Sequence, residues 1–313
     1  MFFLNIEIIT KGYKVYNNKK IGMKKILILG SSGMLGHIIY NYFNEQNKFI
    51  IYNISHKNKL NESSLLIDVF NLDQLNKLIL ELKPDYIVNC IGLLIKSSFN
   101  NNSNAIFLNS YFPHYLSDLC FNINAKLIHV STDCVFKGDI GSYHEDDPKT
   151  AQDIYGSSKS LGEIIDARNL TIRTSIIGPE IKMNGEGLFD WFVKQSGIVN
   201  GFDFALWSGV TTLQFAKTLF EIIENNEITG LIHLTNNDKI SKFDLLTIIK
   251  EVFELDFIEI HSNSEYKVDK SLINSRSDFK LIVPDYYTMI EELNKWINLH
   301  PNLYSKYYTT LFK

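Results

Sequence analysis

The chain has 313 residues with a formal net charge of −4, and 45% of them are hydrophobic. Because basic residues are not in excess, nucleic acid and anionic membrane surfaces are not indicated as partners. The three cysteines show no CxxC spacing, so the sequence predicts neither a disulfide framework nor a metal site. Apolar runs are too short to span a membrane, and we expect a cytoplasmic protein.

The N-terminal segment precedes the first strand signal, which begins at Lys25. Its opening residues, MFFLNIEIIT, are interrupted by Asn5 and Glu7 before they could serve as the apolar part of a signal peptide. We expect residues 1–22 to be an extension that the fold does not need, with the folded chain starting at Met23.

Residues 23–178 alternate short apolar runs with longer segments of helical periodicity, which is typical of strand-helix-strand units and a parallel sheet. The strand signals are continuously apolar, as expected for strands buried on both faces; they are KILILG, FIIYNI, SLLIDV, DYIVNCIG, KLIHVST and NLTIRTS. The third helical segment contains Pro113, so that helix is expected to be kinked or to begin late. The pattern predicts a Rossmann-like, doubly wound α/β domain that binds NAD(P).

After Gly178 the alternation becomes less regular. Residues 179–313 predict a smaller, mixed α/β lobe that binds the substrate. Whether this lobe shares strands with the first domain stays open.

The stretch GSSGMLG follows the first strand signal and opens an amphipathic helix, which is the context of a dinucleotide-binding turn. Glycines in such a turn leave room for a pyrophosphate to meet the free amides of the helix N-terminus. A tight structural turn is the alternative. The predicted cofactor-binding residues of this turn are Gly30, Ser32, Gly33, Met34, Leu35 and Gly36.

The residues after the second strand signal bear on the choice between NADH and NADPH. An acid there binds the ribose diol, whereas a basic residue suits a 2′-phosphate. The region reads YNISHKNK, with His56 and Lys57 and no acid. We therefore predict NADPH, with NADH as the alternative if these residues form only a basic surface turn.

Two further stretches are predicted to contact the cofactor. Asp68 ends LLID, where it could accept a hydrogen from the adenine amino group; a role at a helix N-terminus is the alternative, although Asn71 suits that role better. NCIG places a small residue where backbone must approach the cofactor. The predicted contacts of these stretches are Asp68, Val69, Cys90, Ile91 and Gly92.

The spacing Tyr-x-x-x-Lys occurs three times, as Tyr16/Lys20, Tyr155/Lys159 and Tyr266/Lys270. Only Tyr155 and Lys159 lie on a helix that follows the strand signal ending at Thr132. One helical turn separates the two residues, so both can line one face and bind the cofactor as well as the substrate. A nearby cation makes a phenol, with its ordinary pKa of about 10, a usable acid. Thr132 can donate to the same carbonyl.

These stretches resemble the dTDP-4-dehydrorhamnose reductase family of extended short-chain dehydrogenases/reductases, across roughly residues 24–295. STDCVFKG is similar to STDYVFDG, YGSSKSLGE to YGxxKxxGE and RTSIIGP to RTSxxYG, and the glycine spacing also fits the group. The resemblance implies that Thr132, Tyr155 and Lys159 are catalytic, with Asn109 as a fourth member. Cys134 and the stretch SGVTTLQFAK depart from the family pattern and leave the sugar open.

The resemblance implies a reductase that moves a hydride from NADPH to a nucleotide-linked 4-keto-6-deoxy sugar, in deoxysugar or surface polysaccharide biosynthesis. The alternatives are an epimerase or dehydratase of the same fold, or an NAD(P)-binding regulator without turnover, like the regulatory subunit of methionine adenosyltransferase. Dehydratases need a further acid and base, and related ones carry a glutamate where this chain has Cys134. Whether the protein forms a homodimer stays open.

A protein beginning at Met23 is expected to fold and to bind NADPH, because the strand that begins at Lys25 completes the nucleotide-binding unit. Thermal unfolding and NADPH affinity of the shortened and full chains would test this expectation. Loss of solubility or of binding would show that residues 1–22 belong to the core.

Overall fold

The computed structural model describes residues 22–225, 228–280 and 282–311. Apart from Gly22, the predicted extension lies outside these ranges, so its role stays a prediction. Within the described ranges, no helix is long and apolar enough to cross a membrane.

The strands fall into one large sheet and three small ones. Their bounds are β1 (Lys25–Leu29), β2 (Ile50–Ser55), β3 (Leu65–Leu66), β4 (Tyr86–Asn89), β5 (Lys126–Val130), β6 (Leu170–Arg173), β7 (Ile176–Ile177), β8 (Gly197–Phe202), β9 (Ala205–Trp207), β10 (Val210–Thr211), β11 (Gly230–His233), β12 (Ile240–Ser241), β13 (Ile258–Asn263) and β14 (Val268–Asp269).

The helices lie mainly between these strands. Their bounds are α1 (Gly36–Gln46), α2 (Leu72–Leu82), α3 (Ile95–Asn100), α4 (Asn102–Ala105), α5 (Phe112–Ile123), α6 (Ile154–Leu161), α7 (Leu188–Phe192), α8 (Thr212–Asn225), α9 (Lys242–Val252), α10 (Tyr286–Leu299) and α11 (Ser305–Leu311). A π-helical turn (Ile106–Tyr111) joins α4 to α5, and a short 3₁₀ turn (Asp133–Val135) follows β5.

The large sheet is parallel throughout and has the order β11-β6-β5-β4-β1-β2-β3. The chain therefore runs outward in one direction from β1 to β3 and in the other from β4 to β11. The order reverses between β1 and β4, and a crevice opens at the carboxyl ends of strands at such a point. The predicted doubly wound, Rossmann-like fold is confirmed.

Strand β1 shows why the sheet is buried on both faces. Residues 26–29 are fully buried, and successive side chains of a strand point to opposite faces. Ile26 and Ile28 pack in the layer that contains α1 and α8, whereas Leu27 and Leu29 pack in the layer that contains α2 and α5. Helices on both faces explain the continuously apolar strand signals.

The C-terminal half of the chain is not separate from this sheet. Strand β11 lies in the predicted substrate lobe, yet it pairs with β6 along its whole length, from Gly230 opposite Leu170 to His233 opposite Arg173. The remaining strands form small sheets with parallel and antiparallel pairs. The domain boundary at residue 178 stays a prediction.

Two local predictions can be compared with the structure. Asn71 caps α2, since its Oδ1 accepts a hydrogen bond of 3.1 Å from the backbone N–H of Gln74. Pro113 lies in the first turn of α5, directly after the π-helical turn. The backbone stays helical from the π-helical turn into α5, and the Phe112 N–H bonds to the Phe107 carbonyl oxygen, five residues before it.

A buried network of charged and polar groups joins β6 to β11. Arg173 donates two hydrogen bonds of 2.8 Å to Glu163, one to each carboxylate oxygen, and a third of 2.8 Å to Nε2 of His233. Nδ1 of His233 lies 2.9 Å from the carbonyl oxygen of Ile273 and must therefore carry the proton. Burial, with the adjacent guanidinium, lowers the pKa of His233 to about 4.

Acid should destabilise the fold, because the neutral imidazole of His233 would take up a proton on unfolding. The unfolded ring has an ordinary pKa of 6.5 against about 4 in the fold. Its contribution is therefore full above about pH 6.5 and is lost as the pH falls towards about 4. At about 1.4 kcal/mol per pKa unit, the loss is a few kcal/mol.

Urea unfolding between about pH 7 and about pH 5 would measure this slope. His233→Gln removes the titrating ring, so its free energy of unfolding should fall less steeply with acid than that of the unchanged protein. Equal slopes in both proteins would contradict a neutral His233.

Candidate active site

The glycine-rich turn connects β1 to α1. Gly30 has a φ of +82°, and a Cβ there would lie 3.0 Å from Cγ1 of Ile91. At Gly36 a Cβ would lie only 2.4 Å from the Gly30 carbonyl oxygen. Gly30 thus has the left-handed conformation that favours glycine, and Gly36 lets α1 begin directly against the turn.

Gly33 differs from these two packing positions. A Cβ at Gly33 would lie 3.2 Å from the Gly30 carbonyl oxygen, the one atom within 4 Å. Among the described residues no side chain caps α1, so the positive end of its dipole can interact with an anion. Ser32, Met34 and Leu35 complete the turn. Cofactor binding by these residues stays a prediction that this geometry fits.

The carboxyl end of β2 contains a residue that the sequence interpretation missed. The Ser55 side chain is buried, and among the described residues its Oγ has no hydrogen-bond partner. Such a hydroxyl fits a ligand group in the neighbouring crevice. The predicted residues His56 and Lys57 follow on the exposed surface. A lone serine at a strand end gives no signal in the sequence, because its burial depends on the sheet.

Asn71, and not Asp68, caps α2, and contact of Asp68 with adenine stays a prediction. Its Oδ1 accepts a hydrogen bond of 3.1 Å from the Phe70 N–H in the turn before α2. Its other carboxylate oxygen lies 3.7 Å from Nε2 of His56. The exposed carboxylate therefore lies beside the carboxyl end of β2, with Val69 buried next to it.

The loop after β4 approaches the predicted catalytic residues. A Cβ at Gly92 would lie 3.0 Å from Oδ1 of Asn109 and 3.8 Å from Nζ of Lys159. Glycine therefore allows this backbone to pass the site closely, beside Ile91. Burial raises the pKa of the Cys90 thiol to about 12, so the thiol is protonated near neutral pH and is no nucleophile.

Tyr155 and Thr132 meet at the carboxyl end of β5. Asp153 caps α6 by accepting a hydrogen bond of 2.9 Å from the Gly156 N–H, and this places Tyr155 in the first turn. The Thr132 side chain lies close enough to the phenol to favour its ionised form. Thr132 in turn donates to Asp133 at 3.0 Å.

Burial raises the pKa of Tyr155 above its ordinary value, while Thr132 acts in the opposite direction. The sequence predicted that Lys159 would lower this pKa. The structure instead directs the Lys159 Nζ to the Val130 carbonyl oxygen, at 2.6 Å, and burial is the dominant influence on the phenol. Tyr155 is therefore protonated near neutral pH.

Lys159 is almost fully buried, with 5% of its surface exposed. Besides its bond to Val130, its Nζ lies 3.4 Å from Nε2 of His129. Burial lowers the pKa of Lys159 to about 8, against a weaker opposing effect of Glu163. The amine and ammonium forms are therefore both accessible near neutral pH.

Asn109 lies on the π-helical turn, a form of helix that occurs often at functional sites. Its Oδ1 accepts a hydrogen bond of 2.8 Å from the Leu93 N–H, and its Nδ2 donates to Oγ of Ser158 at 3.1 Å. Asn109 therefore ties the loop after β4 to α6. A catalytic role for it stays a prediction.

Two lysines from the C-terminal lobe were missed by the sequence interpretation. Lys242 lies over the Trp207 ring, 4.6 Å from its centroid, and burial lowers the pKa of Lys242 to about 8 against the opposing charge of Asp133. Lys270 also acts electrostatically on Asp133 and Cys134. Only the folding of the lobe over β5 brings these residues together.

Of the Tyr266/Lys270 pair, the lysine belongs to this arrangement. Tyr266 is about half exposed, in the segment before β14, and Tyr16 lies outside the described residues. Among the residues that the structure describes, no group of three or more His, Cys, Asp or Glu side chains could hold a metal ion.

Curated relatives share parts of this sequence. Over 85 residues the chain is 35% identical to a dTDP-4-dehydrorhamnose reductase of Mycobacterium tuberculosis strain CDC 1551, which covers 25% of the chain and 28% of that protein. It is 26% identical to the reductase of that name from Aggregatibacter actinomycetemcomitans, over 67% of the chain and 60% of the relative. Identity to methionine adenosyltransferase 2 subunit beta of Xenopus laevis is 23%, over 77% and 75% of the two chains. The chain thus spans less than two thirds of the two reductases.

Solved structures share the fold over more of the chain. A hypothetical dTDP-4-dehydrorhamnose reductase from Sulfolobus tokodaii matches with a TM-score of 0.73 and 25% identity, covering 86% of this chain and 98% of that one. A dTDP-4-dehydrorhamnose reductase from Bacillus anthracis str. Ames, in complex with NADP, matches with a TM-score of 0.75 and 19% identity, over 88% and 99% of the two chains.

A family model covers most of the described site. The model of the RmlD substrate binding domain matches residues 23–271, a range that contains the glycine-rich turn, Thr132, Tyr155 and Lys159. The match extends over more than half of the 313 residues. The chain therefore belongs to the RmlD substrate binding domain family.

Proposed function

We propose that this protein is an NAD(P)H-dependent reductase of a nucleotide-linked 4-keto-6-deoxy sugar. The observation that supports this best is the convergence of Tyr155, Thr132 and Lys159 at the carboxyl end of β5. The glycine-rich turn after β1 and Gly92 after β4 lie at the same edge of the sheet. A phenol that could donate a proton to a carbonyl and a turn that could bind a dinucleotide would then serve one site.

NADPH is the cofactor that the residues fit. The α1 N-terminus and Gly33 would receive the pyrophosphate, and Ser55, with His56 and Lys57, would receive the adenosine ribose and its 2′-phosphate. The related structure from Bacillus anthracis in complex with NADP supports the same choice. When bound, the nicotinamide would supply a hydride to the carbonyl carbon of the sugar.

Tyr155 would act as the general acid. Its raised pKa keeps the phenol protonated near neutral pH, which is the form that can give a proton to the carbonyl oxygen. Thr132 lies within reach of the phenol and would orient the same oxygen. Lys159, one helical turn after Tyr155, would donate a hydrogen bond from its side-chain nitrogen to the nicotinamide ribose.

The substrate would approach from the side of the C-terminal lobe. Lys242 and Lys270 add positive charge there, beside Asp133, and a nucleotide sugar carries a negatively charged diphosphate. Which base and which sugar it carries are not proposed. Action in the cytoplasm, in deoxysugar or surface polysaccharide biosynthesis, and assembly as a homodimer stay predictions.

The alternative of a dehydratase is less well supported by the site. Where related dehydratases carry a carboxylate, this chain has Cys134, and burial raises the pKa of its thiol to about 12. A protonated thiol is a poor base at neutral pH. An epimerase would have to keep its cofactor through the reaction, so NAD retained at full occupancy after purification would favour that function.

A regulator without turnover is the second candidate, because the similarity to methionine adenosyltransferase 2 subunit beta covers 77% of the chain. NADPH oxidation measured with a panel of 4-keto-6-deoxy sugar nucleotides separates the candidates. Turnover of any of these sugars would reject the regulator, whereas NADPH binding without turnover of any of them would contradict the reductase.

Tyr155→Phe should separate binding from chemistry. The change removes only the donated proton, so NADPH affinity should be kept while the rate of reduction falls about 100-fold to 10,000-fold. Stopped-flow reduction and fluorescence titration would measure the two quantities. Tyr266→Phe, at an exposed tyrosine of another Tyr-x-x-x-Lys pair, is the control that should leave both unchanged. Near-normal reduction by Tyr155→Phe would contradict the proposed acid.

His56→Asp should shift the preference from NADPH towards NADH, since a carboxylate there repels a 2′-phosphate and can accept from a ribose diol. The ratio of the two dissociation constants measures the effect. Lys295→Ala removes an exposed charge on α10 and should leave the ratio unchanged. An NADH preference in the unchanged protein would show that the residues after β2 were misinterpreted.

A further inference from the structure

Asn89, the last residue of β4, has a fixed side-chain orientation. Its Oδ1 accepts a hydrogen bond of 3.1 Å from the backbone N–H of Ile91. Because a backbone N–H can only donate, the amide oxygen must be on this side. The amide nitrogen of Asn89 consequently faces Nδ1 of His129, at 3.2 Å.

This orientation determines the tautomer of His129. The Nδ2 of Asn89 can only donate, so Nδ1 of His129 must accept and cannot carry a proton. His129 is fully buried, and burial lowers its pKa well below the ordinary value, so the ring is neutral. A neutral imidazole without a proton on Nδ1 carries it on Nε2.

The Nε2–H of His129 lies 3.4 Å from Nζ of Lys159. An ammonium group has three donors and no acceptor, so an N–H directed at it finds no lone pair. A neutral amine has one lone pair, and it can still donate to the Val130 carbonyl oxygen at 2.6 Å. In this series of hydrogen bonds, every donor therefore meets an acceptor only when the Lys159 side chain is an amine.

We propose that Asn89 and His129 are positioning residues that present an imidazole Nε2–H to the Lys159 side chain and so hold it as a proton acceptor. The direction of the hydrogen bonds is fixed by the Ile91 N–H, which can only donate, and the Val130 carbonyl oxygen can only accept from Lys159. Neither end can reverse, because both are backbone groups.

Other titratable groups near Lys159 act differently. Glu163, one helical turn after Lys159, and Cys90, in the loop after β4, both favour the ammonium form. Glu163 is engaged by Arg173 and by Ser131, which donates to it at 2.7 Å, and the Cys90 thiol is protonated near neutral pH. His114, on α5, acts weakly on His129. None of these groups offers the Lys159 Nζ a hydrogen bond.

The hydrogen-bond directions are independent of the proposed reductase activity. Only the effect of the Lys159 amine on the reaction rests on that proposed function. With the ordinary lysine pKa of 10.5, Lys159 would remain an ammonium over the whole working range. As an acceptor at the buried end of α6, it could take up and return a proton near neutral pH. The change in the rate of reduction at alkaline pH would then follow the pKa of Lys159.

The first test is the tautomer of His129 in the full chain, without cofactor or substrate. Long-range ¹H–¹⁵N correlation spectra of ¹⁵N-histidine-labelled protein distinguish an Nε2–H ring from an Nδ1–H ring, and His129→Gln identifies the signal. An Nε2–H ring supports the proposal. An Nδ1–H or doubly protonated ring at about pH 7 would overturn it.

The second test changes the direction of the hydrogen bonds. In Asn89→Asp both carboxylate oxygens accept, so the His129 proton should move to Nδ1 and Nε2 should accept from Lys159. In His129→Gln the side-chain oxygen can accept from Lys159 without any added charge. Both changes should raise the Lys159 pKa, by about one unit or more, as followed by ¹³C spectra of labelled lysine.

The two variants distinguish the hydrogen-bond direction from simple charge. A rise of the Lys159 pKa in Asn89→Asp alone would be explained by the new carboxylate and would overturn the proposal. Lys149→Gln removes the lysine that forms an ion pair with Glu163. This control is expected to change the Lys159 pKa much less. These readouts require no turnover, so failure of the proposed reductase and failure of this inference are separate results.

Discussion

The burial of the Lys159 side chain is the constraint on which the arrangement of the site depends. A buried amine needs polar partners, and Lys159 finds them on β5, in the Val130 carbonyl oxygen and the His129 ring. Helix α6 must therefore lie close against β5. Gly156 and Gly162 allow this approach, because a Cβ would lie 2.2 Å from the Cys134 carbonyl oxygen and 1.9 Å from that of Asn109, respectively.

The elements next to α6 are arranged around its close packing against β5. The π-helical turn places Asn109 between α6 and the loop after β4, where its amide bonds to both. Gly92 then passes the site without a side chain. Helix α6, the π-helical turn and the loop thus form one hydrogen-bonded unit around a single buried amine.

The C-terminal half supports the glycine-rich turn as well as covering the site. His37 on α1 lies 2.8 Å from the Gly33 carbonyl oxygen and 3.0 Å from the Tyr304 hydroxyl. Tyr304 also accepts a hydrogen bond of 3.0 Å from Trp296 on α10. Residues beyond the family match therefore contact α1 directly after the predicted cofactor turn, and β11 extends the same sheet.

Much of the fold and the candidate site could be read from local patterns. Continuous apolar runs separated by helical periodicity predicted the parallel sheet, because burial on both faces leaves that signature in every strand. Glycine spacing after β1 and the position of Tyr155 and Lys159 after β5 predicted the two halves of the candidate site. In each case the signal lies within a few consecutive residues, as does the capping of α2 by Asn71.

The tertiary structure alone decided the partners of these residues. The orientation of Asn89 and the tautomer of His129 depend on backbone groups and side chains of adjacent strands, and the burial of Ser55 depends on the sheet. Lys242 and Lys270 reach Asp133 from elements more than a hundred residues away. Sequence determines where chemical groups lie along the chain, whereas desolvation and hydrogen-bond direction depend on contacts that exist only after folding.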